Sequence, residues 1–79
     1  MNLYLISQSV NNYYDTYDSA VVAADSEDAA RGIHPSETDW DGKSKLYGSW
    51  CAKEDVTVRF IGTAAENISG VVCASFNAG

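Results

Sequence analysis

Basic residues are scarce in this chain: five Lys and Arg stand against eleven Asp and Glu in 79 residues, a net charge of −6. That balance argues against binding to nucleic acid or to an anionic membrane, both of which need a basic face. It fits a basic protein partner, or good solubility. Cysteine is nearly absent. Cys51 and Cys73 are the only two, and they form no C-x-x-C, which excludes a zinc knuckle and a thioredoxin-type motif. There is one histidine and one proline. His34 directly precedes Pro35 and has no evident acid–base partner in the sequence, so it reads as a polar residue near a helix end. No apolar run approaches the roughly 20 residues of a membrane span. Met1-Asn2-Leu3 lacks the charged start of a signal peptide. The expectation is a cytoplasmic protein with both thiols free and with Cys73 in the core.

Catalytic and metal-binding patterns were tested and fail. Asp39-Trp40-Asp41-Gly42 places glycine too early for a calcium loop, and no glutamate follows at the right spacing. The serines have no nucleophile-elbow context, and the glycines are too scattered for a phosphate loop. The aromatic–basic signature of RNA binding is missing. The expectation is a non-enzymatic protein with no cofactor and no metal.

What is present is concentrated. Eight of the eleven acidic residues lie between Asp15 and Asp41, where Arg31 is the only Lys or Arg. The same stretch opens on Asn11-Asn12-Tyr13-Tyr14-Asp15-Thr16-Tyr17-Asp18. Tyrosine and tryptophan are favoured at interfaces because they bury large area at low entropic cost. The contact residues expected from this pattern are Tyr13, Tyr14, Asp15, Tyr17, Asp18, Asp39, Trp40 and Asp41. Tyr47 and Trp50 would extend the patch if the 36–50 segment folds beside it, or would cover the core. Carboxylates about 7 Å apart on one strand face could also imitate a row of phosphates.

Seventy-nine residues make one domain, 1–79. Leu3 to Ser7 and Ala20 to Ala24 read as two strands paired in a hairpin whose loop, 9–17, is longer than register requires. Ser26 is a good N-cap for a two-turn helix through Ala29, Ala30 and Arg31, ended by Gly32 or Pro35. Val56 to Ile61 alternates as a strand with Val56, Val58 and Phe60 on one face, and Val71 to Phe76 is the last strand. A further short strand is expected near Tyr47–Cys51. The fold class is α+β: a three- to four-stranded, mostly antiparallel sheet with one short helix on one face. Such a sheet leaves edges exposed, which invites a homodimer or strand addition by a partner.

Several strings resemble a family of small uncharacterised proteins encoded by tailed bacteriophages and prophages. They are Tyr4-Leu5-Ile6-Ser7-Gln8, Val10-Asn11-Asn12, Tyr14 through Ala24, Ser26 through Arg31, Ile33-His34-Pro35-Ser36 and the terminal Ala74 to Gly79. The resemblance covers most of the chain outside 37–55 and brings no catalytic residues with it. It implies a phage accessory protein expressed in the cytoplasm of an infected bacterial host. By analogy of size and origin it implies an inhibitor of host defence, of anti-CRISPR or anti-restriction type, with a host protein such as a CRISPR effector subunit as partner. A nucleotide-binding sponge and a phage structural or assembly protein are the other two readings.

Overall fold

The computed structural model describes residues 1–12, 14–36, 40 and 48–77. Its chain order is β1 (Asn2–Ser7), β2 (Thr16–Ala24), α1 (Glu27–Arg31), a single 3-10 turn (Lys53–Asp55), β3 (Thr57–Thr63) and β4 (Gly70–Asn77). The four strands form one sheet in the order β3-β1-β2-β4, and every neighbouring pair is antiparallel. This is the small α+β architecture expected from the hydrophobic pattern.

The hairpin forms because both runs are apolar and β-tolerant, and its register sets the faces. Tyr4 lies opposite Val22 and Ile6 opposite Ala20, so these four point to one side. That side carries the core, in which Trp50, Cys51, Ala30 and Val56 join Tyr4, Ile6, Ala20, Val22 and Ala24. Alanines at 20, 24 and 30 are small enough to let an indole and a helix approach the sheet closely. Among the described residues, the core members outside the sheet come from the 25–56 crossover between β2 and β3.

Helix α1 begins where expected. The Ser26 hydroxyl accepts a hydrogen bond from the Ala29 amide at 3.1 Å, and Glu27 and Asp28 occupy the first turn, where the helix dipole favours carboxylates. Five residues cannot hold a helix by propensity alone. Buried Ala30 docks it on the sheet, and the Arg31 guanidinium donates to the Val56 carbonyl. The Arg31–Glu27 contact at 3.6 Å is exposed enough to add little.

From the outer strand β3 the chain returns to the opposite edge through residues 64–69, passing the end of the sheet where Asn2 and Ala24 sit. Three strand spacings are about 14 Å, within reach of six residues. Ala64 N–H donates to Met1 O at 2.9 Å on the way, and Asn67 (φ 69°) and Gly70 (φ 73°) supply the left-handed turns.

Three expectations are corrected. Residues 48–52 form no strand: they run as bends under the hairpin loop, with Trp50 and Cys51 fully buried. Cys73 is exposed, because β4 is an edge strand and Cys73 faces Val21 on the side of the sheet away from the core. Phe60 lies on the core side with Val58, yet it is 60% exposed at the outer edge of the sheet, where it packs edge-on against Tyr4 with ring centroids 5.9 Å apart. Val56 precedes β3 and is buried.

Candidate partner-binding surface at the hairpin loop

The β1–β2 connection, residues 8–15, is tied down by side-chain amides. Gln8 uses its whole hydrogen-bonding capacity there. Its Nε2 donates to Asn11 O and Tyr17 O, both at 2.8 Å, and its Oε1 accepts from the amides of Val10 at 2.9 Å and Asn11 at 2.8 Å. Asn11 then reaches across to the other long connection. Its Nδ2 donates to Gly48 O at 2.9 Å and to Trp50 O at 2.7 Å. Tyr17 N–H closes the same seam on Ser49 O at 2.8 Å, and Asp15 N–H bonds Asn77 O at the end of β4 at 2.6 Å. The loop is therefore a bracket fixed to β2, to β4 and to the segment beside the core.

The bracket pushes a set of side chains outward. Tyr14 is 76% exposed. Asp15, exposed at its tip, has φ 61°, a conformation that Asp and Asn tolerate better than most residues. Asp18 is the extra residue of a β-bulge, where Tyr17 pairs with Phe76 and Ser19 with Ser75. Bulges re-aim side chains, and the Asp18 carboxylate is exposed, accepting one hydrogen bond from Ser19 Oγ at 3.1 Å. Tyr17 is half-buried and packs on Phe76 with ring centroids 4.8 Å apart. Phe76 itself is 47% exposed. One corner of the molecule thus gathers Tyr14, Asp15, Asp18 and the Tyr17–Phe76 pair.

Of the eight residues expected to make contacts, Tyr14, Asp15, Tyr17 and Asp18 come together there. Tyr13, Asp39 and Asp41 lie outside the described residues. Trp40 is half-buried against the core and meets His34 edge-on at 5.5 Å. Trp50 is inside the core and bears on the surface only through its carbonyl. Phe76 was missed. Its signal in the sequence was its place near the end of a strand whose apolar alternation breaks at Val71-Val72.

A separate cleft of about 440 Å³ is lined by residues 32–36 with Gly70 and Val71. Its described lining residues include no Lys or Arg, although the Lys53 ammonium lies close to Gly32. His34 is buried at its back. The Nδ1 of His34 accepts from the Ser36 amide at 3.0 Å and lies 3.2 Å from Ser36 Oγ. That amide already uses the lone pair a general base would offer to the serine hydroxyl, so the contact closes the His-Pro-Ser turn.

The two thiols have opposite environments. Burial, assisted by the Asp55 carboxylate, pushes Cys51 up to about 11, whereas Cys73 is exposed. Native protein at pH 8 should therefore take up one alkyl group, at Cys73, and a second only after unfolding, as mass spectrometry would register. The raised Cys51 value also sets a sign. The folded state holds this proton more tightly than the unfolded chain, so its contribution to stability is complete below about pH 9 and is lost as pH rises towards 11.

Among the described residues no helix is long and apolar enough to cross a membrane. Comparisons with protein families, with curated proteins and with solved structures found no match.

Proposed function

We propose that this chain is a small phage-encoded accessory protein that binds and inhibits a host protein through the hairpin corner. The partner would carry a basic surface, as a subunit of a nucleic-acid-targeting defence complex of the CRISPR type does. The observation that carries the reading is the bracketed loop. A tyrosine 76% exposed beside two exposed carboxylates is held out by a hydrogen-bond network that leaves Gln8 with no spare group. Rigid presentation of an aromatic anchor lowers the ordering entropy lost on binding. The carboxylates would steer a basic partner, and the rings would retain it. Such a protein acts by stoichiometric occupation and uses no catalytic group. A nucleotide sponge finds less support, because the described lining of the cleft at residues 32–36 supplies no Lys or Arg side chain, and Lys53 near Gly32 is the one cation recorded beside it.

The test is affinity capture from host lysate with the tagged chain, washed at low and at high salt. One basic, nucleic-acid-handling complex, released by salt, is the expected catch. Recovery of virion proteins alone, or of nothing, would overturn the proposal. Tyr14→Ala should fold normally and weaken capture by about 30-fold, the scale of an interface hot spot. Asp15→Asn keeps a residue suited to φ 61° and removes only the charge. Its defect should be severalfold at low salt and should fade as the salt concentration rises. Equal capture by wild type and both variants would remove the corner from the interface.

A further inference from the structure

The sheet has a second face, and the described residues leave it uncovered. Its side chains form three rows across the strands. Nearest the hairpin loop, Thr57, Ser7, Ser19 and Ser75 lie side by side, a row of four hydroxyls. The next row is Arg59, Leu5, Val21 and Cys73, and the third is Gly62, Leu3, Ala23 and Gly70. Of these twelve residues only Ala23, beside the 64–69 crossover, is buried. Arg59 is the only charged one.

We infer that this face is a self-association surface, covered by the same face of a second copy of the chain. Charge selects the occupant. The molecule carries −6 overall, and this face carries a single cation. A basic partner would find its carboxylates elsewhere, and a nucleic acid or anionic membrane would need more than one Arg. A second copy meets least like-charge repulsion here. The rows are also self-complementary. A twofold axis parallel to the strands lays each row over its own copy: hydroxyls face hydroxyls, which both donate and accept, and the apolar row faces itself. The same axis places β3 over the partner's β4, so that Arg59 does not confront Arg59.

Size sets the strength. Four strands about 4.8 Å apart and six residues at about 3.3 Å give a face of about 400 Å² in projection. Two such faces, with side-chain relief added, fall at the small end of specific interfaces, which corresponds to a weak, concentration-dependent dimer. Ser36, Trp40 and Gly48 are tied to the opposite side: Ser36 through His34, Gly48 through Asn11 and Trp40 through the core. The inference does not depend on the identity of any host partner.

Sedimentation velocity on the full chain between about 10 µM and about 1 mM, with Cys73 alkylation rates measured in parallel, tests it. Monomer should pass to dimer, more readily as salt screens the net charge. Over the same range the Cys73 rate should fall about fivefold, since Cys73 lies inside the interface. Leu5→Glu should remain monomeric with a concentration-independent Cys73 rate. Ser75→Glu, at an exposed edge-strand position that disturbs the fold less, should do the same and decides the matter if Leu5→Glu does not fold. A wild type that stays monomeric throughout overturns the inference. So does a dimer in which Cys73 stays fully reactive and both charged variants still associate, the pattern of edge-to-edge pairing.

Discussion

Trp50→Ala should lose about 3–5 kcal/mol of stability, the cost of removing a fully buried indole, which is a large share of what the fold has. A 79-residue domain has only about 4–12 kcal/mol in hand. Trp50 is completely inaccessible and sits in the cluster that ties β1 and β2 to α1 and to the 48–56 segment. The alanines at 20, 24 and 30 that sheet and helix contribute to this cluster are too short to refill the space. Trp50→Phe is the informative companion. The indole Nε1 is buried without a hydrogen-bond partner, and an unpaired buried donor costs about 1–3 kcal/mol. Phenylalanine loses volume and removes that donor, so the two effects oppose each other. Urea unfolding followed by circular dichroism should place Trp50→Phe within about 1.5 kcal/mol of wild type. A phenylalanine variant as damaged as the alanine variant would mean that the indole N–H is satisfied in solution, by water.

The same residue joins the core to the candidate surface. Its side chain fills the core, and its carbonyl accepts from Asn11, which holds the loop bearing Tyr14. Loss of the side chain should therefore loosen the corner before the sheet itself melts. Hydrogen exchange at residues 9–18 would register that order of events.

The strands and the helix start were legible because their signals are local. Short apolar runs at Leu3–Ile6 and Ala20–Ala24 mark the two central strands, and Ser26 with Glu27 and Asp28 marks a cap. What failed was everything that depends on which elements lie next to one another. Cys73 looks like a core cysteine, but the register places it opposite Val21 on the face away from the core, and that register is not written in Val71-Val72-Cys73. The bulge at Val72 also breaks the alternation that would have assigned a face. The 48–51 segment carries two aromatic or sulfur side chains, which mimic a strand. It is held instead by its carbonyls, which accept from the Asn11 side-chain amide, nearly forty residues away, and from the Tyr17 backbone N–H. Of the site, Tyr14, Asp15 and Asp18 were readable as exposed because polar flanks rarely bury. The bracket that organises them was not, since nothing distinguishes Gln8 and Asn11 from any other loop amides until the fold brings them together.

Asn11 separates a bracketed loop from a merely exposed one, and its substitutions should behave accordingly. Asn11→Ala leaves the Gly48 and Trp50 carbonyls without their donor, for about 2–4 kcal/mol lost. At temperatures where this variant is still folded, it should also capture the proposed host partner less well than its folded fraction allows, because the freed loop must be ordered on binding. Asn11→Asp sharpens the test. It puts a carboxylate, in a nearly inaccessible site, against the same two carbonyl oxygens. Burial and repulsion both raise the folded-state pKa of that group above its unfolded value. The stability of the variant is then greatest in acid, where the protonated carboxyl can donate to one carbonyl, and falls as pH rises through the folded-state value. Asn11→Ala should show no such added slope relative to wild type. If the difference between the two variants does not change with pH, the Asn11 side chain is not committed to those carbonyls. The exposure of Tyr14 would then be ordinary loop exposure, without the rigidity on which partner retention depends.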